Sequence, residues 1–268
     1  MTAVAARPTR RQSFLAQTLA MSKRAIIAVI RQPAMVIPSL LFPLFFVALG
    51  TSSFSKAIDI PGFPKVDSFL DFALAGSIVQ GILFGSTVSA TALATDIENG
   101  FFDRLLASPT SRVSILIGRL AGGMAYGGLQ TLLFILVLTP FGLSVQSGLV
   151  GVVVMILGGI LVALAIGGLM AAMAIKTGSS EAVQGAFPLL FILLFFSSTF
   201  FPRETMKGYH KAIADVNPLS LIAEGFRSLT IESLSASAVA QTLLIPLGLA
   251  VLTVSLSLRA LRGRLEAS

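Results

Sequence analysis

The sequence predicts an all-α integral membrane protein with six transmembrane helices. Hydrophobic residues make up 55% of the 268 residues, charged residues make up only 12%, and the mean hydropathy is +0.91. A soluble domain carries about 25% charged residues, so most of this surface is not suited to water. Strict alternation of apolar and polar residues in ten-residue segments, the mark of a membrane-spanning barrel, is absent from the sequence, which leaves a helical bundle.

Six apolar segments are long enough to cross the bilayer, because about 20 helical residues span its ~30 Å hydrocarbon core. They cover residues 34–53, 69–94, 114–138, 147–175, 182–201 and 238–258. The whole chain, 1–268, is therefore predicted to be a single transmembrane domain. Small residues at four-residue spacing inside the second, third and fourth segments favour close helix packing, within the chain or across a dimer seam.

The distribution of basic residues predicts the orientation. With the N-terminus inside, thirteen of the nineteen Lys and Arg residues fall on the cytoplasmic side, which puts both termini in the cytoplasm. We interpret the net charge of +7 as this positive-inside excess, not as a surface for nucleic acid. Residues 12–31 form a basic amphipathic pattern, which predicts a helix lying in the membrane interface in contact with lipid headgroups.

The connection before the last span, residues 202–237, is long and partly apolar, and it is predicted to be extracellular. An Asn217-Pro218 break precedes a semi-apolar stretch that is too short to span, which predicts a re-entrant or interfacial helix. Glu224 and Arg227 lie three residues apart on one face of that helix, where we expect them to pair.

The sequence lacks most of the motifs that would indicate catalysis, metal binding or ATP binding. The sequence has no Cys, one His and no GxxxxGK[ST] loop, so we expect no catalytic residue, metal site or ATP site in this chain. Ionisable residues are absent from the middle third of every predicted span, which argues against a proton-driven or sodium-driven pump. Mid-membrane polar residues could line a solute path or make interhelical hydrogen bonds; the candidates are Gln80, Thr87, Gln130 and Gln184.

The loop over residues 95–112, "TDIENGFFDRLLASPTSR", is too polar for lipid and too short to fold alone; the motif runs on from Asp96 to Arg119 as "DIENGFFDRLLASPTSRVSILIGR". It closely resembles the cytoplasmic signature of the type-2 ABC-exporter membrane subunits, most of all the bacterial daunorubicin-resistance exporters. A second family mark appears in order as "FPRE", "NPLS" and "EGFR". The positions that match the signature are Glu98, Gly100, Leu105, Leu106, Ser108, Pro109, Ser111 and Arg112 in the loop, and Gly118 and Arg119 at the start of the third span.

The resemblance implies a half-transporter in the bacterial plasma membrane. Two copies of the chain would work with two separate ATP-binding subunits, which bind the ATP and Mg²⁺, and the loop would be a coupling helix seated in a groove of each subunit. We expect Glu98 and Asp103 to pair with basic residues of that groove, and Pro109 to end the helix before Arg112. The expected apolar anchor is Phe101, Phe102, Leu105 and Leu106.

The leading prediction is a permease that exports hydrophobic small molecules, either a drug or a lipid. One alternative in the same family exports lipid-linked polysaccharide or glycolipid, although few aromatic residues other than Phe are available to bind sugar. An alternative from another class is a membrane-embedded transferase in which Asp96, Glu98 and Asp103 hold Mg²⁺.

Overall fold

The computed structural model describes residues 13–31, 33–108 and 110–267, and within these ranges it is helical with no strand. This confirms the all-α prediction. Three short 3₁₀ helices cover Ser55–Asp59, Thr139–Phe141 and Arg203–Thr205. The α-helices of the described ranges are α1 Phe14–Ile30, α2 Pro33–Ser53, α3 Phe69–Glu98, α4 Phe101–Leu106, α5 Arg112–Leu138, α6 Gly148–Thr177, α7 Ser180–Phe195, α8 Gly208–Val216, α9 Pro218–Ile231 and α10 Ala236–Ala267.

Four helices, α3, α5, α6 and α10, are long and apolar enough to cross a membrane. The 30 residues of α3 or α6 extend about 45 Å at 1.5 Å per residue, so their ends reach beyond a ~30 Å hydrocarbon core. The apolar helical stretches in α2 and α7, Ile37–Ser53 and Ser180–Phe195, are shorter. A helical membrane bundle is therefore confirmed, while the count of six spans stays a prediction.

The predicted fifth span, 182–201, is wrong at its second end, because α7 stops at Phe195. The Ser197 hydroxyl donates to the carbonyl of Leu194 at 2.5 Å, and the Thr199 amide donates to the Ser197 hydroxyl at 3.2 Å. Side chains that bond the local backbone in this way compete with helix continuation. The chain therefore turns over residues 196–201 instead of completing the span.

Helix α3 lies at the centre of the bundle and packs against α2, α5, α6, α7 and α9. Its small residues admit neighbouring side chains, since Gly81 lies against Gln130 and Gly85 against Tyr126. Gly127 of α5 similarly lies against Ala163 of α6. These stripes of small residues therefore pack the chain's own helices.

The first helix, α1, packs along α5, where Gly118 faces Met21 and Gly122 faces Ala25. Two apolar residues on its other face, Leu15 and Leu19, are 70% and 69% exposed. Such exposure suits a face immersed in lipid. The amphipathic helix predicted over 12–31 is thus present as α1, apart from residue 12, which lies outside the described residues.

The predicted re-entrant region folds into α8 and α9. Helix α9 inserts among α3, α6 and α10, and its side chains Ile222, Phe226 and Leu229 are at most 1% exposed. The Ser147 hydroxyl before α6 donates to the carbonyl of Leu229 at 2.5 Å. This helix is therefore part of the bundle core at the end where α6 begins.

Candidate functional site

The connection between α3 and α4 depends on one glycine. Helix α3 continues to Glu98, one turn beyond the predicted end of the span at residue 94, and Gly100 then starts α4 with φ +66°. That left-handed conformation is accessible to Gly at little cost and strains other residues. No atom lies within 4 Å of a Cβ placed at Gly100, so backbone conformation, and not lack of space, requires the glycine.

Helix α4, the predicted coupling helix, is anchored to its own chain. Phe102 is 1% exposed and belongs to the bundle core, and Leu105 and Leu106 are half-buried against that core. Phe102, one of the four apolar residues expected to contact a partner, therefore faces the core of its own chain. Residues three and four positions apart share one face of a helix, so Phe102, Leu105 and Leu106 lie together on the buried face of α4. The expectation that Phe102 anchors a partner is wrong. Phe101 is half-buried and packs under the Arg24 guanidinium, whose Cζ lies 5.4 Å from the ring centroid.

Glu98 contacts the first turn of α7. Its carboxylate accepts hydrogen bonds from the Ser180 amide at 2.6 Å and from the Ser180 hydroxyl at 3.0 Å. A carboxylate at a helix N-terminus satisfies amides that have no partner in the helix and interacts favourably with the helix dipole. Within this chain Glu98 therefore links the end of α3 to α7. Its expected pairing with a partner subunit stays a prediction.

Asp103 of α4 is also paired within the chain. Arg264, near the end of α10, donates to its two carboxylate oxygens, from Nε at 3.3 Å and from Nη2 at 3.2 Å. The Asp103 side chain is 52% exposed, so this bidentate pair lies at the surface. This pair forms because α10 extends well past residue 258 and brings its basic end beside α4. The predicted pairing of Asp103 with a partner subunit stays a prediction.

Two further contacts tie this region to the helices beside it. Asp96 of α3 forms an ion pair with Arg119 of α5. The Gln17 side chain of α1 accepts a hydrogen bond from the Ser111 amide at 2.8 Å.

The remaining predicted residues of this region lie at the end of α4 and the start of α5. The Ser108 hydroxyl donates to the Leu105 carbonyl at 2.6 Å, at the end of α4. Arg112 is exposed where α5 begins, and Pro109 lies outside the described residues. We name the region 96–112 with these contacts the coupling junction.

The three acids proposed as Mg²⁺ ligands have separate partners. Asp96 contacts Arg119, Glu98 contacts Ser180, and Asp103 contacts Arg264. Within the described residues no group of three acidic or histidine side chains is placed to hold a metal ion.

At the other end of the bundle, Asn217 organises the chain between α7 and α9. Its side chain accepts from the Leu219 amide at 2.9 Å and caps α9, with Pro218 at the first helical position. Its Nδ2 donates to the carbonyls of Leu193 and Phe196 at 2.7 and 3.1 Å. The predicted Asn-Pro break is therefore a buried joint that holds the end of α7 against the start of α9.

Arg227 and Glu224 do not form the ion pair predicted from their spacing. Glu224 pairs with Arg203 at 2.8 Å, whereas Arg227 donates to the carbonyls of Ser198 and Thr199 at 2.7 and 3.4 Å. The turn after α7 comes between the two side chains and supplies these acceptors. The Arg227 guanidinium also lies over the Phe72 ring, 4.0 Å from its centroid. Burial lowers the pKa of Arg227 to about 10, so it remains a cation at neutral pH.

The four polar candidates for a solute path lie on the three helices α3, α5 and α7 and differ in burial. Gln80 and Gln130 are 1% and 0% exposed, and Gln130 Nε2 donates to the Ile78 carbonyl at 3.4 Å between α3 and α5. The Thr87 hydroxyl donates to the carbonyl of Leu83 within α3. Gln184 is exposed on α7 and donates to the carbonyl of Ser180. The interhelical hydrogen-bond interpretation fits Gln130, and a solute path along these residues stays a prediction.

Phenylalanines converge where α2 and α7 flank α3, a feature that residue type alone does not reveal. Their rings are linked by centroid distances of 4.8–6.4 Å, which are typical of interacting aromatic pairs. We name this set the phenylalanine groove; its members are Phe42, Phe46, Phe84, Phe187, Phe191, Phe195 and Phe200. Beside it a cavity of about 240 Å³ is lined by Phe46, Phe72 and Phe195 among other apolar residues.

Known proteins resemble this chain over most of its length. A family model described as "ABC-2 type transporter" matches residues 16–231. The daunorubicin resistance ABC transporter permease DrrB1 of Streptomyces coeruleorubidus is 31% identical over 261 residues, which cover 96% of this chain and 90% of the relative. This chain belongs to the ABC-2 type transporter family.

Other relatives of this ABC-2 permease carry related names. The doxorubicin resistance ABC transporter permease DrrC of Mycobacterium tuberculosis is 24% identical over 215 residues, covering 80% of this chain and 76% of the relative. The transport permease ycf38 of Pyropia yezoensis is 31% identical over 225 residues, covering 81% and 75%. The resemblance seen in the sequence is therefore confirmed, and the chain is a membrane transport permease related to drug-resistance permeases.

In this ABC-2 permease, three residues of the coupling junction were not predicted as members of the site. Ser180, Arg24 and Arg264 contact Glu98, Phe101 and Asp103, from positions far away in the sequence. A basic cluster at the C-terminus is visible in the sequence and predicts orientation, but no local pattern pairs Arg264 with an acid 161 residues away.

Proposed function

We propose that this permease exports hydrophobic small molecules, with drugs as the substrate class, across the bacterial plasma membrane. Two copies would work with two copies of a separate ATP-binding subunit, which would bind ATP and Mg²⁺. The names of two relatives, which refer to daunorubicin and doxorubicin resistance, support this substrate class. The coupling junction carries the mechanical part of the proposal.

The observation that supports coupling is the contact between Glu98 and Ser180. Movement imposed on α4 by an ATP-binding subunit reaches α3 through the short Gly100 connection, and it reaches α7 through the Glu98 carboxylate. Helix α7 carries Phe187, Phe191 and Phe195 of the phenylalanine groove. A displacement of α7 relative to α3 would therefore change the width of an apolar, aromatic surface suited to hydrophobic solutes.

The contact between α10 and α4 is consistent with the proposed orientation. The basic end of α10 lies beside α4, so the C-terminus and the coupling helix share one side of the bundle. The positive-inside bias of the sequence assigns that side to the cytoplasm, where ATP-binding subunits work. The exposed surface of α4 left for a partner includes Arg104, while Phe102 faces inward.

The proposal is tested by transport into inside-out vesicles that contain the permease and its ATP-binding subunit. We expect ATP-dependent uptake of daunorubicin or doxorubicin, and a loss of at least tenfold in Glu98→Gln with normal insertion and subunit binding. Lys211→Gln, which removes a charge in the exposed α8 at the other end of the bundle, is the matched control and should transport normally.

Three results would contradict the proposal. Normal uptake by Glu98→Gln would remove Glu98 from the coupling path. Uptake of a glycolipid but of neither drug would favour the polysaccharide or glycolipid alternative. Activity of the isolated chain with Mg²⁺ and without ATP would favour the transferase alternative.

A further inference from the structure

A cavity of about 350 Å³ lies where α1 and α4 cover the ends of α3 and α5. It is separate from the phenylalanine groove and lies at the opposite end of α3. Its wall contains the charged side chains of Arg24, Asp96 and Arg119, and the rest is mostly apolar, including Met21 and Ile115. The cavity therefore combines an excess of positive charge with a hydrophobic wall.

The charges in this cavity do not balance. Asp96 is paired with Arg119, whereas Arg24 forms no ion pair with any carboxylate in the described part of the chain. The two guanidinium groups are close enough for the charge of Arg24 to repel that of Arg119. Arg24 is held in place by its contact with the Phe101 ring. An anionic group between the two arginines would offset this repulsion and make charge-assisted hydrogen bonds.

The apolar wall restricts the kind of anion. A small ion such as phosphate would contact the arginines and leave Met21, Leu105 and Ile115 without a partner. A purely apolar molecule would leave Arg24 unpaired. The cavity therefore suits a molecule with an anionic head and a hydrocarbon chain.

The position of α1 identifies where such a molecule comes from. Phe14, Leu15 and Leu19 of α1 are 48%, 70% and 69% exposed, and a run of exposed large apolar side chains on a helix of a membrane protein is covered by lipid. Lys23 and Arg24 follow directly on the same helix. Basic residues placed there lie at headgroup depth, where anionic phospholipids are concentrated.

We propose that this cavity binds an anionic phospholipid, with its phosphate between Arg24 and Arg119 and its acyl chain against Met21 and Ile115. The bound lipid contacts α4 through Phe101 and Leu105, so it stabilises the position of the coupling helix relative to α1 and α5. The site is independent of which solute the permease carries.

The chain contains no tryptophan, so one introduced tryptophan reports on its own surroundings. The probe is Phe101→Trp in the full-length permease, reconstituted in nanodiscs that contain phosphatidylcholine and phosphatidylglycerol. In one sample the phosphatidylcholine has brominated acyl chains, and in the other sample the phosphatidylglycerol has them. The mole fraction of brominated lipid is the same in both samples. We expect at least twofold stronger quenching by brominated phosphatidylglycerol, because the anionic lipid is retained beside Phe101.

Matched variants on the Phe101→Trp background identify the charges that matter. Arg24→Gln should bring the quenching ratio close to one, and Arg24→Lys should keep part of the preference. Lys23→Gln removes a neighbouring charge that does not line the cavity and should leave the ratio unchanged. Asp96→Asn removes the competing carboxylate and should raise the ratio, which gives a test in the opposite direction if Arg24→Gln folds poorly.

A second probe and a competitor separate this site from general surface attraction. Leu247→Trp, on an exposed part of α10, should show a ratio near one. The proposal is overturned if Phe101→Trp is quenched equally by both lipids, or if Lys23→Gln lowers the ratio as much as Arg24→Gln. Loss of the preference on adding inorganic phosphate at about 10 mM would identify a small-anion site and would overturn the lipid assignment.

Discussion

The two ends of the bundle are held together by different kinds of contact. The polar contacts of the coupling junction are made by exposed or half-buried groups, such as Glu98 against Ser180 and Asp103 against Arg264, although Phe102 is buried there. The opposite end, over residues 196–231, is joined by the buried polar side chains Asn217 and Arg227, which are 2% and 5% exposed. Exposed pairs contribute little stability each, whereas breaking a buried network is costly.

This difference fits the coupling role proposed for the junction. A junction that must move relative to its neighbours is better connected by contacts that can shift at low cost, since regions with few buried contacts open most easily. A rigid opposite end keeps α7, α9 and α3 in register while the junction moves. The following predictions test the difference, from the largest expected change in free energy of unfolding to the smallest.

Arg227→Leu should cause the largest loss. It removes two hydrogen bonds to buried carbonyls and the contact with Phe72, and we expect the free energy of unfolding to fall by about 2–4 kcal/mol. The measurement is denaturant unfolding in detergent micelles. Arg262→Gln, an exposed arginine of α10, is the control and should change stability by less than about 0.5 kcal/mol. Equal losses would show that burial does not distinguish the two ends.

Gly100→Ala should have a smaller effect, because it places a Cβ in the left-handed region. We expect a loss of about 1–2 kcal/mol, measured by the same unfolding experiment. Gly123→Ala is the matched control: Gly123 is helical with open space around it, so alanine should be neutral or slightly stabilising. A neutral result for Gly100→Ala would show that the α3–α4 connection tolerates another conformation.

Glu98→Gln and Ser180→Ala should each cost about 0.5–1 kcal/mol, the usual range for an exposed helix N-terminal contact. The double variant should lose less than the sum, because both changes remove the same hydrogen bond between side chains. Additive losses in unfolding measurements would mean that the two residues act independently. Transport should fall far more than stability does in both single variants.

Asp103→Asn should have the smallest effect on stability, below about 0.5 kcal/mol, because the Asp103–Arg264 pair is largely exposed. The difference from the wild type should shrink further between 0.05 and about 0.5 M salt as the charges are screened. Unfolding measured at both salt concentrations checks this. A larger, salt-independent loss would place this ion pair with the buried contacts of the opposite end.

Much of this protein could be predicted from local sequence patterns. Apolar length and low charge determined the helical membrane class, and the motif around Gly100 indicated the family. The Asn217-Pro218 break located the start of α9. Each of these depends on residues that are close in the chain, so the sequence carries the information directly.

Only the tertiary structure decided which helix faces contact one another. Phe102 and Phe101 are neighbours of the same type, yet one is in the core and the other lies under Arg24. Asp103 pairs with Arg264 across 161 residues, and Glu224 pairs with Arg203 instead of Arg227. Helical periodicity specifies which residues share a face, but the partner of that face depends on how all the helices pack around α3, which no local pattern contains.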